Sequence, residues 1–291
     1  MKQILITGSE GFIGTNLKNY LKDKYDILGL DCKISIFHDI RYMNYISKFV
    51  TDFQPDIIIH LAANPDVSMS TVYPQEDLTL NVNGTLNMLE LARKVNVKLF
   101  IFTSSACVYG DTTEPHIGED YLIRPNSQYG VGKFAAEEYC RLYFRKYKLP
   151  TVIFRQFNIY GKGQNCNFVI PNLIRRIKNN PEKKLMLYGS PEDARDFTNV
   201  KDLCAAFERA IEVCPAGETL NIGSGREIKI YDVAKKINKL LDKNTEFFYN
   251  NNILEGKILR LCADTNKTRK ILEWQPKIDI DTGLDELLNC V

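Results

Sequence analysis

Three glycines set three residues apart, Gly8, Gly11 and Gly14, follow the apolar run Ile4-Leu5-Ile6 and open the periodic stretch Phe12 to Leu21. Few folds use a strand, a glycine turn and a helix in that order. Glycine permits positive φ and lets backbone come close to a pyrophosphate. The helix N-terminus then offers unpaired N–H groups and a partial positive charge to that phosphate. In this context Gly8-Ser9-Glu10-Gly11-Phe12-Ile13-Gly14 reads as a dinucleotide-binding turn. Asp31 closes the next apolar run, Tyr25 to Leu30. A carboxylate there accepts hydrogen bonds from ribose hydroxyls and repels a 2′-phosphate, which selects NAD over NADP. Lys33, close by, softens that preference.

The first 160 residues alternate strand and helix signals. Ile57 to Leu61, Leu99 to Phe102 and Thr151 to Phe154 read as buried strands. Leu78 to Val95 and Gln128 to Tyr147 read as long helices. Continuous apolar strands separated by helices imply a parallel sheet covered on both faces. The second half is more broken, with helices expected at Pro171 to Lys178, Val200 to Val213 and Asp232 to Leu241, and a strand at Thr219 to Ile222. The expected fold class is α/β: a Rossmann-type doubly wound parallel sheet with a smaller mixed α/β lobe. Its expected division is a cofactor domain over 1–160, with returning segments near 196–224, and a mostly substrate-binding lobe over 161–291.

Composition narrows the function. A net charge of +2 gives no electrostatic footprint for nucleic acid. No apolar run reaches the roughly 18 residues of a membrane span, and the N-terminus reads as a strand rather than a leader. The cytoplasm is the expected location. The eight cysteines form no CxxC pair and there are three histidines, so no metal site is expected and the thiols read as free and mostly buried.

Further blocks follow in order. These are Asp39-Ile40, His60-Leu61-Ala62-Ala63, Asn81-Val82-Asn83-Gly84-Thr85, Thr103-Ser104-Ser105, Tyr129-Gly130-Val131-Gly132-Lys133, Arg155-Gln156-Phe157-Asn158, Arg195-Asp196-Phe197 and Asn221-Ile222-Gly223. With the TGxxGxxG spacing at Thr7 to Gly14, they resemble the extended short-chain dehydrogenase/reductases that act on nucleotide sugars. The resemblance covers most of the chain. It implies cofactor contacts from Gly8, Gly11, Phe12, Ile13, Gly14, Asp31, Asp39, Ile40, Leu61, Ala62, Ala63, Asn81, Tyr129, Lys133 and Phe157. It implies Ser105, Tyr129 and Lys133 as catalytic residues, Asn158 and Arg195 as substrate contacts, a nucleotide-diphosphate sugar as substrate, and a homodimer built on the two long helices. Phe134, Tyr139, Leu142 and Tyr143 are candidates for that dimer surface and equally for the core.

The chemistry suits these residues. Tyr129 and Lys133 are four apart and share a helix face. An ammonium beside a phenol is expected to lower its pKa, so that Tyr129 takes a proton from a sugar hydroxyl while hydride leaves the same carbon. Ser105 is placed to hydrogen-bond that oxygen. Dehydratases similar to this chain carry Asp-Glu after the serine; here Ala106 and Cys107 stand there, which points to a 4-epimerase. Cys107 keeps open a thiol-assisted epimerase, with Lys162 the nearest candidate partner and Phe168 where a histidine would stand. A net dehydrogenase or reductase of a keto sugar, and an NAD-sensing protein without turnover, are the other readings. Leu254-Glu255-Gly256-Lys257 departs from the relatives' phosphate-binding arginine block, and Arg260 is a candidate replacement.

Overall fold

The structure is a computed structural model that describes residues 1–112, 114, 116–249 and 260–288. The Leu254–Lys257 departure and Cys290 therefore lie outside the described residues. The chain runs β1 (Gln3–Thr7), α1 (Phe12–Leu21), β2 (Asp26–Leu30), α2 (Met43–Phe53), β3 (Ile57–His60), α3 (Val67–Val72), α4 (Pro74–Leu78), α5 (Gly84–Lys94), β4 (Leu99–Ser105) and α6 (Gln128–Tyr147). It continues β5 (Thr151–Gln156), β6 (Asn158–Tyr160), α7 (Val169–Lys178), β7 (Lys184–Leu187), β8 (Ala194–Asn199), α8 (Val200–Val213) and β9 (Thr219–Ile222). It ends β10 (Glu227–Lys229), α9 (Ile230–Leu240), β11 (Glu246–Tyr249), β12 (Arg260–Leu261), α10 (Asn266–Leu272) and α11 (Ile280–Leu288).

Six parallel strands make the main sheet in the order β2-β1-β3-β4-β5-β9. Alternation along each strand feeds two cores. Ile4, Ile6, Ile57, Ile59, Leu99 and Ile101 meet Leu17, Leu203 and Phe207 on one face. Leu5, Ile58, Phe100 and Phe102 meet Ile46, Val50, Met88 and Ala136 on the other. This is the doubly wound Rossmann-type sheet that the strand and helix alternation predicts. The strand order reverses between β1 and β3, and a ligand crevice opens at the carboxyl ends of strands flanking such a reversal.

The remaining strands are short. β8 lies between β10 and β12 and also pairs with β6, while β7 pairs with β11. Their core gathers Tyr160, Leu173, Ile177, Phe197, Val233, Ile237 and Leu284.

Three local expectations change. The helix read over Leu78 to Val95 is a composite: α4 ends at Leu78, a π-helical turn spans Thr79–Asn83, and α5 begins at Gly84. The reading missed α2, although Met43, Ile46, Val50 and Phe53 carry helical spacing. The thiols are more mixed than expected: Cys140, Cys204 and Cys262 are buried, Cys107 is half-buried, and Cys32, Cys166 and Cys214 are exposed. Among the described residues no helix is long and apolar enough to cross a membrane.

Candidate active site

The crevice starts at Gly8, whose φ of 69° is the left-handed value that favours glycine. A Cβ on Gly8 would stand 2.8 Å from the Ala62 nitrogen, and one on Gly14 would stand 2.2 Å from the Gly8 oxygen. The glycines let loop, helix and the Leu61-Ala62 end of β3 touch backbone to backbone. No side chain caps α1 at Gly11, so the N–H groups beginning at Phe12, Ile13 and Gly14 face a cradle that only a small backbone leaves open. That shape and polarity fit a pyrophosphate.

Asp31 ties the rim together by accepting from the Glu10 and Lys33 amides at 2.9 and 2.8 Å. Lys33 turns its ammonium to the Glu10 carbonyl at 3.4 Å. Asp39 is buried, and burial alone would raise its carboxyl. Three hydrogen bonds from the Arg41 guanidinium outweigh that and hold it low. Ile40 is buried under α5, where its Cδ1 fills the space beside Gly84. Ala62 donates its amide to Thr7 Oγ1, and Ala63 completes that turn before Asn64.

Ser105 ends β4, and its hydroxyl accepts from the Cys107 amide at 3.2 Å. Its hydroxyl also favours the ionised forms of the Tyr129 phenol and the Cys107 thiol, against the burial that disfavours both. Lys133 lies one turn after Tyr129, 3% exposed; its Nζ donates to the Thr103 carbonyl at 2.9 Å and stands 5.9 Å from the Tyr129 ring centre. The expectation that Lys133 lowers the Tyr129 pKa is corrected here. Burial pushes the phenol well above the usual tyrosine value, Cys107 adds to the rise, and the Ser105 hydrogen bond only partly offsets it. The reason is desolvation: a phenolate leaving water loses more than a nearby ammonium, already bonded to a carbonyl, returns. Lys133 shifts in the complementary direction, pulled down to about 8 by burial.

Cys107 is pushed up by burial, and Ser105 and Arg195 partly restore it. Arg195, on β8, reaches this group from the second sheet. Its Nη1 donates to the Ala194 carbonyl at 2.8 Å, and it senses Asp193 and then Cys107. Asp196 is not its partner, because that carboxylate is spent on the Ser224, Gly225 and Ala263 amides at 2.7 to 3.1 Å. Asn158 donates to the Asp196 carbonyl at 3.4 Å. Phe157 is buried beside Tyr109. Lys162 is exposed, with its carbonyl taking a bond from Asn16. Arg260 bonds both oxygens of Glu227 at 2.9 and 3.0 Å. In the strand register Arg260 stands beside Ala194 and Leu261 beside Arg195, so pleating turns the two arginines to opposite faces.

Sequence reasoning missed the supports. His60 bridges Thr7 Oγ1 at 2.7 Å and Thr85 Oγ1 at 3.0 Å, and burial drops its pKa to about 3, so it is neutral. Glu137 is buried and takes Arg155 at 3.0 and 2.8 Å, Arg141 at 2.7 Å and Ser104 at 2.5 Å. Only the spacing of Glu137, four residues after Lys133, hinted at a role for it.

The chain matches the family described as NAD dependent epimerase/dehydratase over residues 4–223. It is 29% identical to a human dTDP-D-glucose 4,6-dehydratase over 99% of this chain and 89% of that one. It is 29% identical to a UDP-glucuronate 4-epimerase of Thermodesulfobacterium geofontis over 99% and 96%. A solved UDP-glucose 4-epimerase of Thermotoga maritima, with UDP-glucose, superposes with a TM-score of 0.92 at 26% identity, covering 99% of this chain and 97% of that one. With its glycine cradle, its Ser-Tyr-Lys cluster and this match, the chain belongs to the NAD dependent epimerase/dehydratase family and is an enzyme whose cofactor is NAD.

Proposed function

We propose that this enzyme is a nucleotide-sugar 4-epimerase. The observation that carries the reading is the end of β4, where the two positions after Ser105 are Ala106, buried, and Cys107, half-buried. Neither is a carboxyl, whereas the dehydratases this chain resembles carry an acid and a base there. NAD, when bound, supplies a hydride acceptor that can also return the hydride. Tyr129 removes the proton from the C4 hydroxyl and later restores it, and Ser105 holds the oxygen between them. Tyr129 rests as a phenol, so it becomes a base only when positive charge is brought beside it, which ties proton removal to a filled site. Lys133 supplies a fixed charge and a hydrogen bond on the cofactor side. Arg195 and Asn158 grip the diphosphate end of the sugar nucleotide, and the second lobe serves as its binding surface.

A second reading rests on the Cys107 thiol lying within reach of Ser105 and under the influence of Arg195. In it the thiol moves a proton at the carbon beside the ketone. Both readings are tested by incubation with UDP-, GDP-, CDP- and dTDP-sugars. A 4-epimerase returns the C4 epimer with no net NADH. Stoichiometric NADH would overturn it, and epimerisation at C3 or C5 lost in Cys107→Ala would favour the thiol.

We also propose a homodimer through α6. Val131, Tyr139 and Leu142 form an exposed stripe, whereas Tyr143 is buried and Phe134 packs inward against the Tyr109 cluster. Sedimentation of the whole chain reads this directly.

A further inference from the structure

His60 ends β3, level with Thr7 of β1 in the strand register, and Thr7, His60 and Thr85 are each at most 1% exposed. Thr85 donates its hydroxyl to the Asn81 carbonyl at 2.7 Å. A carbonyl only accepts, so the one hydroxyl proton is committed there. His60 Nε2, 3.0 Å from the same hydroxyl oxygen, is therefore the donor in that contact. A neutral imidazole carries one N–H, so Nδ1 presents a lone pair, and the Thr7 hydroxyl donates to it at 2.7 Å. The Thr7 oxygen in turn accepts the Ala62 amide at 3.2 Å. With the ring proton on Nδ1 instead, lone pairs of Nε2 and Thr85 would face each other. With protons on both nitrogens, the Thr7 hydroxyl would have no other acceptor among the described residues. Either arrangement leaves a buried group unpaired, which costs more than the bond it replaces.

We infer that His60 is a positioning residue, fixed as the Nε2–H tautomer in a one-way hydrogen-bond chain that ties the glycine turn to the Asn81 turn and sets the span of the NAD crevice. The inference rests on the reading of those two turns as walls of the NAD site. The chain runs from the Ala62 amide to Thr7, His60, Thr85 and the Asn81 carbonyl, each group donating to the next. At one end Thr7 immediately precedes Gly8, and its carbonyl accepts the Leu61 amide at 3.2 Å. At the other end the Asn81 Cβ lies against α6, 3.6 Å from the position a Cβ would take on Gly132, one residue before Lys133. The backbone of His60 is held as well: its carbonyl accepts the Thr103 hydroxyl at 2.7 Å, and the Thr103 carbonyl accepts Lys133 Nζ. One ring of fixed polarity joins the phosphate end of the crevice to its catalytic end.

The tautomer is read by long-range 1H–15N correlation in histidine-15N-labelled whole enzyme without added NAD. His38→Gln and His116→Gln assign the remaining signal to His60, so no residue of the chain is altered. The proton-bearing nitrogen should couple to both ring carbon protons, which identifies Nε2, and its partner should stay unprotonated from about pH 8 to about pH 5. A proton on Nδ1 in that range, alone or together with one on Nε2, overturns the inference. The positioning role is read by calorimetry in whole enzyme freed of retained nucleotide. Thr85→Val keeps the shape of the side chain and removes its hydroxyl. It should weaken NAD about fivefold or more, the worth of one neutral hydrogen bond, and leave ADP, which reaches the glycine turn but not the catalytic end, within about twofold of wild type. Thr85→Ser keeps the hydroxyl and should bind both as the wild type does. Equal losses of NAD and ADP in Thr85→Val, no loss of NAD, or the same loss in Thr85→Ser would overturn the role. If the wild type binds neither nucleotide, the reading of the site fails while the tautomer still decides the chain.

Discussion

The two sheets differ in where their ion pairs lie. Around β4, β5 and α6 the ionisable groups are buried and saturated: Lys133 on a carbonyl, His60 between two hydroxyls, Glu137 on two arginines and a serine. In the second lobe the ion pairs sit in water, as with Arg260 and Glu227, Lys229 and Glu192, or Lys236 and Asp281. Buried groups hold one arrangement because every alternative leaves a charge or a dipole unpaired at low dielectric. Exposed pairs exchange partners with water at little cost. The contrast suits the proposed division of labour, in which the chemistry would be held fixed while the lobe proposed to bind substrate adapts.

The most severe way to break the buried side is Tyr129→Phe. It removes one oxygen and should lower kcat about 10²- to 10⁴-fold, with NAD retention on purification unchanged. Turnover within a few-fold of wild type would remove Tyr129 from its role. Next is Glu137→Ala, which strands Arg155 in the core. Equilibrium urea unfolding should show a loss of about 3–5 kcal/mol, the usual cost of orphaning a buried charge.

His60 gives a smaller, pH-dependent effect. Its pKa is about 3 in the folded chain against an ordinary 6.5, so the unfolded chain binds the extra proton. Stability from this group is therefore complete above pH 6.5 and falls as pH drops toward 3. Between pH 6.5 and 5 the loss should be about 2 kcal/mol, and His60→Asn should flatten that slope in paired unfolding curves. Arg260→Ala is the control from the other lobe. Its side chain is 56% exposed, and both the unfolding midpoint and its salt dependence should match wild type. A drop as large as that of Glu137→Ala would erase the contrast.

These differences also explain what the sequence could convey. α1, α6, α8 and β9 fall on the expected residues because apolar periodicity is local. That Tyr129 and Lys133 share a helix face and that Ser105 ends a strand was legible from spacing and apolar runs; their catalytic roles came only from the family resemblance. The pairing of Glu137 with Arg155, or of His60 with Thr7, was not, because nothing in sequence spacing says which strand lies beside which. The direction of the Tyr129 shift was misread for a related reason: spacing reveals a neighbouring charge but not the loss of water around both groups. The strands β6, β10 and β12, of two or three residues, are too short to show alternation, and β8, with the polar run Arg195-Asp196 and Thr198-Asn199, carries no apolar run although most of it is buried. The π-helical turn leaves no periodic trace, since it repositions Asn81 without breaking the apolar stripe.

One feature of the second sheet bears on how such enzymes diversify. The chain leaves the main sheet through β6 and comes back through β8, and these two strands pair with each other, Tyr160 opposite Asn199. Asn199 then caps α8 with its side chain. Exit and return are thus side by side, like the two ends of an insertion. The loops of the stretch between them can change length while its endpoints stay put, because closing a loop of different length costs little once its ends are fixed, although α7 and β7 are tied to α9 and β11 and would change with them. If this lobe holds the substrate as proposed, such changes would alter what is bound without moving β5 or α8.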